Sequence, residues 1–406
     1  MELKEMTFID LFAGIGGFRQ ALESYGAKCV FSSEKDKYAI QTYQANYNET
    51  PQGDITKIRE EDIPNHDILC AGFPCQAFSI SGNQLGFEDA RGMLFFDIVR
   101  IAKYHKPSIL FLENVSNLTK HNECKTLDTM REMLEKIGYI VNIKTLNASD
   151  YNVCQSRKRI YFVCFNREKL PIKEFKYPEP IKCTKYLEDI LESDQETESY
   201  RIYRDDVKYK DVTINEHQAK PIRIGTINKG GQGERIYSPM GHAITLSAEG
   251  GGPGAKTGVY LINGYLRRLS PRECARVQGF PESFKIVVSD SQAHKQFGNS
   301  VAIPVLKYIV ESINESINIY NNNNNKIAMG ISTKIADEIV MKIAKVVANN
   351  IASDIATKVK KEVKKEFQKE AEKEITKKVI SEIEKEIMLK FTNKIEEEIA
   401  VSKESE

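Results

Sequence analysis

The chain is expected to fold as an α/β protein: a helix-covered sheet, a smaller loop-rich segment and a long helical C-terminal extension. Three features carry this expectation. Short apolar runs alternate with amphipathic stretches over residues 7–165, the pattern of a parallel sheet covered on both faces. Residues 201–280 are basic and rich in glycine. From residue 326 onwards Lys and Glu alternate, with one glycine and no proline.

The elements follow in order. Residues 7–12 (TFIDLF) form a strand that runs into Gly14, Gly16 and Gly17. FRQALESYG makes an amphipathic helix ending at Gly26, and KCVFSSEKD begins a second strand. Apolar runs at 67–72, 108–113 and 159–165 read as further strands, and 92–104 and 124–138 as helices. Pro171, Pro178, Pro180 and dense charge break the pattern over 171–220. A helix returns at 271–279, with Pro271 at its first position, and another at 302–318. Five asparagines at 321–325 read as a linker.

The 406 residues are 41% hydrophobic, enough for at least one sizeable core. Their net charge of +1 gives no hint of a polyanionic partner. The layout does. Residues 1–200 carry 25 basic and 30 acidic side chains, whereas 201–280 carry 13 and 7. A basic stretch holding KGGQGER and AEGGGPGAKTG suits docking to a polyanion through loops, although a solvated irregular region fits the charge equally. No apolar run is long enough for a membrane span, and the N-terminus lacks the pattern of a signal peptide. The eight cysteines form no C-x-x-C pair, so no metal site is expected. A reduced, cytoplasmic protein is the expectation.

In the tail an apolar residue stands at every fourth position from Ile327 to Ile399. A four-residue step overshoots a helical turn by about 40°, so the stripe winds around a straight helix. That period favours right-handed supercoiling. Self-association or docking on a protein partner through 326–406 is one reading, and a charged, partly formed helix is the other.

Four motifs carry chemistry. DLFAGIGG (10–17) with Glu34 fits a glycine turn against a ligand and a carboxylate on ribose hydroxyls. It suits a dinucleotide, S-adenosylmethionine (AdoMet) or only a tight turn. Asp54, after the next candidate strand, suits an adenine edge. GFPCQAFSISG (72–82) places Cys75 at a strand end, where a nucleophile would sit. LENV (112–115) puts Glu113 near the same rim, able to act as an acid if burial raises its pKa. QSRKRIYFV (155–163) puts Arg157 and Arg159 on one face of a strand start, suited to a phosphate or a base carbonyl.

Taken with RRLSPRECARVQGFP (267–281) and QFGNSVAIPV (296–305), this ordered set resembles the DNA (cytosine-5)-methyltransferases over about residues 5–318. The likeness continues through RIGTINKGGQGERIYS and AITLSAEGGGPGAKTGVYLING, a region that varies with the DNA target, and points to the bacterial branch that modifies GCGC. The resemblance implies a Rossmann-like, AdoMet-dependent methyltransferase sheet acting on double-stranded DNA, as the modification enzyme of a restriction–modification system. It implies a catalytic domain of 1–187 and 271–320, a target-recognition domain of 188–270, the linker and the tail. Phe12, Gly14, Gly16, Glu34, Asp54, Leu94, Asn299 and Ser300 would hold AdoMet. Cys75 would be the nucleophile, Glu113 the group at the base N3 and N4, and Arg159 the contact to O2. Arg157 would support the site and the DNA backbone. Ser81 and Gln232 would approach the space left by the flipped base, and Arg235, Thr245 and Gly252 would lie in the recognition segment. Two positions depart from the branch: Lys35 replaces a tryptophan beside the ribose-binding glutamate, and Glu249 replaces a tyrosine near the glycine loop. A related branch acts on tRNA but lacks a large segment like 200–265. A non-catalytic DNA-binding or assembly protein would not need the full catalytic set.

Overall fold

A computed structural model of the chain describes residues 2–74, 94–119, 125–248, 257–350 and 365. The chain divides into two compact units, Met1–Asn318 and Ile319–Glu406.

The first unit opens with β1 (Thr7–Leu11), α1 (Gly17–Glu23), β2 (Lys28–Ser33), α2 (Lys37–Tyr47), β3 (Ile68–Gly72), α3 (Leu94–His105) and β4 (Ile109–Val115). It continues with α4 (Lys125–Lys136), β5 (Tyr139–Asn147) and β6 (Lys158–Asn166). The six strands form one sheet in the order β2-β1-β3-β4-β6-β5. The first four are parallel, but β6 runs antiparallel to both β4 and β5. The expected parallel sheet is therefore mixed. The chain returns from β5 to β6 without a crossover helix, and a direct return forces antiparallel pairing.

Alternation along the strands supplies two cores. Leu110 and Leu112 of β4 join Ile9 and Leu11 of β1, Phe95 and Ile98 of α3 and Leu134 of α4 in one cluster. Phe111, between them, faces the other way and meets Phe18 of α1 edge-on, with ring centroids 5.0 Å apart. Truncating one of these fully buried leucines to alanine would cost about 2–5 kcal/mol.

A second sheet follows within the basic segment. β7 (Lys208–Tyr209), β8 (Ile222–Thr226), β9 (Arg235–Ser238), β10 (Val259–Ile262) and β11 (Tyr265–Arg267) pair in the order β11-β10-β9-β8-β7. Ile227, Ile236, Val259 and Leu266 make its small core. Then come α5 (Pro271–Gln278), α6 (Asp290–Asn299) and α7 (Ile303–Asn350). Pro271 opens α5, as expected, and Ser270 caps it. Ile309, Val310, Ile313 and Ile317 of α7 are buried in the first unit.

In the second unit, the described residues up to Asn350 are helical. The asparagine run at 321–325, expected as a linker, is helical too. No glycine or proline occurs between 305 and 329, and each asparagine costs a helix well under about 1 kcal/mol. Ile319, Met329, Val340 and Met341 are exposed. Most of the expected tail stripe, from 351 onwards, lies outside the described residues. No described helix is long and apolar enough to cross a membrane.

Candidate active site

The carboxyl ends of the parallel strands share one rim, and a cleft of about 360 Å³ opens there. The loop after β1 forms one wall. Phe12, Gly14 and Gly16 all adopt positive φ, at 56°, 55° and 85°. A Cβ on Gly16 would lie 2.5 Å from the Tyr47 ring, and one on Gly17 would lie 2.4 Å from Val301. Only glycine lets the turn pack this tightly.

Glu34, just past β2, holds that loop. Its Oε2 accepts from the Gly14 amide at 2.9 Å, and its Oε1 accepts from the Lys35 and Asp36 amides at 2.8 Å. Asp54 lines the cleft while its Oδ1 caps a short 3-10 turn, accepting from the Thr56 amide at 3.1 Å. Leu94, Asn299 and Ser300 complete the wall. Asp36 and Lys295 also line it and form an ion pair of 2.8 Å between the starts of α2 and the body of α6. Neither residue lies in a motif, and the two stand 259 positions apart in the chain.

Glu113, near the end of β4, faces the same cleft and is 7% exposed. Arg159 Nε lies 2.9 Å from its Oε1, an ion pair without the alignment of a full hydrogen bond. Burial pushes the Glu113 pKa above the usual carboxylate range, against the opposing pull of Arg159 and Arg157.

Arg157 lines the cleft but is 2% exposed. Its terminal nitrogens donate to the carbonyls of Leu246, Gly298 and Ser300. The guanidinium is thus bound to buried main chain that joins residues 246, 298 and 300. The alternation argument did not apply, because β6 begins at Lys158 and Arg157 precedes it.

Thr245 Oγ1 donates to the Ser156 carbonyl at 2.6 Å. Arg235 opens β9, and Gln232 begins the 3-10 turn before it. Neither Thr245 nor Arg235 lines the cleft. Cys75, Ser81, Glu249 and Gly252 lie outside the described residues.

A strand-end cleft with a glycine turn and a carboxylate just past the second strand is where open α/β enzymes hold their ligands. Residues 6–315 match the model of the C-5 cytosine-specific DNA methylases, and the chain belongs to that family. It is a DNA (cytosine-5)-methyltransferase. It is 54% identical to the Type II methyltransferase M.HhaI of Haemophilus parahaemolyticus over 312 residues, 77% of this chain and 95% of that one. It is 41% identical to M.HpaII of Haemophilus parainfluenzae over 75% of this chain and 88% of that one. The fold is shared with S. pombe Dnmt2, at a TM-score of 0.62 and 20% identity over 77% of this chain and all of that one. An Entamoeba histolytica methyltransferase gives 0.58 at 19% identity, over 77% and 98%.

Proposed function

We propose that the chain methylates C5 of a flipped cytosine in double-stranded DNA, within GCGC, using AdoMet, as the modification half of a restriction–modification pair. The observation that carries this reading is the ion pair of buried Glu113 with partly buried Arg159, opening onto the same cleft as Glu34 and Asp54. The cleft suits AdoMet: a tight glycine turn for close approach, two carboxylates for hydroxyl and amino donors, and the apolar faces of Phe12, Ile55 and Leu94. Gly14, Gly16, Asn299 and Ser300 would shape and close this pocket. When bound, the cofactor supplies an electrophilic methyl group on sulfur.

The residues act on the base in order. Flipping exposes it at a cost of a few kcal/mol. The Cys75 thiolate adds to C6, and the C5=C6 electron pair moves so that C5 becomes nucleophilic. Glu113, whose burial favours the protonated carboxyl, hydrogen-bonds N3 and offsets the charge developing there. Arg159 donates to O2 and holds Glu113 in place. After methyl transfer, C5 loses its proton and the thiolate leaves C6, restoring the aromatic ring.

Residues 1–187 with 271–320 act as the catalytic domain and 188–270 as the target-recognition domain. Ser81 and Gln232 approach the vacated space in the duplex, while Arg235, Thr245 and Gly252 read the target. Arg157 acts as a positioning residue. The tail 326–406 self-associates or binds a protein partner as a coiled coil, and the enzyme works in the cytoplasm, where DNA and the methyl donor meet. Cys75→Ser is expected to abolish methyl transfer to a GCGC duplex while the variant still binds that duplex. Transfer near the wild-type rate by this variant would overturn the mechanism.

A further inference from the structure

We infer that Gln155 and Gln278 are positioning residues that couple the cofactor pocket to the DNA-recognition segment. The inference rests on the AdoMet and DNA reading above. Both side chains are fully buried. Gln278, at the end of α5, donates through Nε2 to the carbonyls of Phe297, at 2.6 Å, and Ser300, at 3.4 Å. Those carbonyls belong to the turn that carries Asn299 and Ser300 into the cofactor wall. The Oε1 of the same amide accepts from Gln155 Nε2 at 3.3 Å. Gln155 Oε1 in turn accepts from the Leu246 amide at 3.0 Å. Leu246 follows Thr245, in the segment that leads to the glycine-rich loop.

A second set of bonds runs beside the first. Arg157 joins the Leu246 carbonyl to the Gly298 and Ser300 carbonyls. Ser156 donates its amide to the Ala243 carbonyl at 2.9 Å. At Gly298 the backbones are so close that a Cβ would lie 2.2 Å from the Ser247 oxygen. Residues 297–300 and 243–247 therefore share buried amides and leave no room for independent shifts. A ligand that orders Asn299 and Ser300 must also order the main chain at Leu246, and DNA held by that segment must favour the ordered pocket. Linkage makes the effect reciprocal. Neither glutamine lines the cleft. Their amides are neutral, so the coupling requires no change in charge.

The direct test is hydrogen exchange on the whole chain with S-adenosylhomocysteine and no DNA. Exchange is expected to slow in peptides covering both 12–17 and 244–248. Slowing at 12–17 with none at 244–248 would overturn the coupling. No slowing at 12–17 would instead count against the cofactor reading. The variant test measures GCGC duplex affinity with and without S-adenosylhomocysteine. Wild type should bind more tightly with it by about fivefold or more, and Gln278→Met should bring that ratio close to one. A merely structural residue would weaken both affinities and leave the ratio unchanged, and that result would overturn the proposal. If Gln278→Met does not fold, Gln155→Asn, which keeps an amide but shortens its reach, carries the same measurement.

Discussion

Both oxygens of Glu34 accept main-chain amides, so one side chain fixes the glycine turn and the start of α2 together. Its place in the site was legible from sequence, as a carboxylate just after the second strand; its grip on the Gly14, Lys35 and Asp36 amides was not. Glu113 and Arg159 were legible for a similar reason, each standing at a strand end on the rim. The direction of the Arg157 side chain was not legible, because it depends on carbonyls supplied by residues 246, 298 and 300. A residue outside every motif sets a prediction about pH. His66, before β3, is 6% exposed and hydrogen-bonds the Pro64 carbonyl through Nδ1 at 2.8 Å. Burial, helped by the nearby charge of His105, lowers its pKa from 6.5 to about 4. Below pH 6.5 the unfolded chain takes up a proton that the folded ring refuses. Stability from this group is therefore lost as the pH falls towards 4, by at most about 3 kcal/mol. His66→Gln should flatten the urea midpoint against pH over that range; a wild-type-minus-variant difference that does not change with pH would reject this assignment.

Elements were legible where apolar residues cluster and obscure where they do not. β1, β3 and β4 are short apolar runs because both faces of a central strand are covered. β5 escaped because YIVNIKTLN is half polar, as befits the sheet's edge, and most of its residues are only partly buried. α2 escaped because the apolar residues of KYAIQTYQANY are mostly Tyr and Ala, and α6 because DSQAHKQFGN carries only Ala293 and Phe297. What the sequence did mark was α5, through its start. Ser270 Oγ accepts from the Glu273 amide at 3.1 Å, and Glu273 Oε2 accepts from the Ser270 amide at 2.8 Å. Glu273 also pairs with fully buried Arg267, so this cap is tied to β11. Ser270→Ala is expected to destabilise the protein by about 1–2 kcal/mol, with Ser270→Thr recovering most of the loss. Equal thermal midpoints for the alanine variant and wild type would show that the cap contributes nothing.

At the scale of the whole molecule, the division at Asn318/Ile319 separates the unit that holds the cleft from a second unit whose described residues up to Asn350 are helical. The family match ends at residue 315, just before that boundary. A chain stopped after Asn318 should keep its methylation rate within about a factor of two, while light scattering should report fewer copies per particle than for the full chain. An unchanged particle mass would remove self-association from the tail. The net charge of +1 now reads as an acidic first half and a basic second sheet added together. The order of residues around the cleft has a consequence in time. Two of its walls come from residues 12–54 and from 292–301, brought together across nearly the whole first unit. A ribosome must therefore release some three hundred residues before the pocket has its second wall. Fragments that end before residue 292 hold half a pocket, so methylating activity arrives only with chains that run past residue 301.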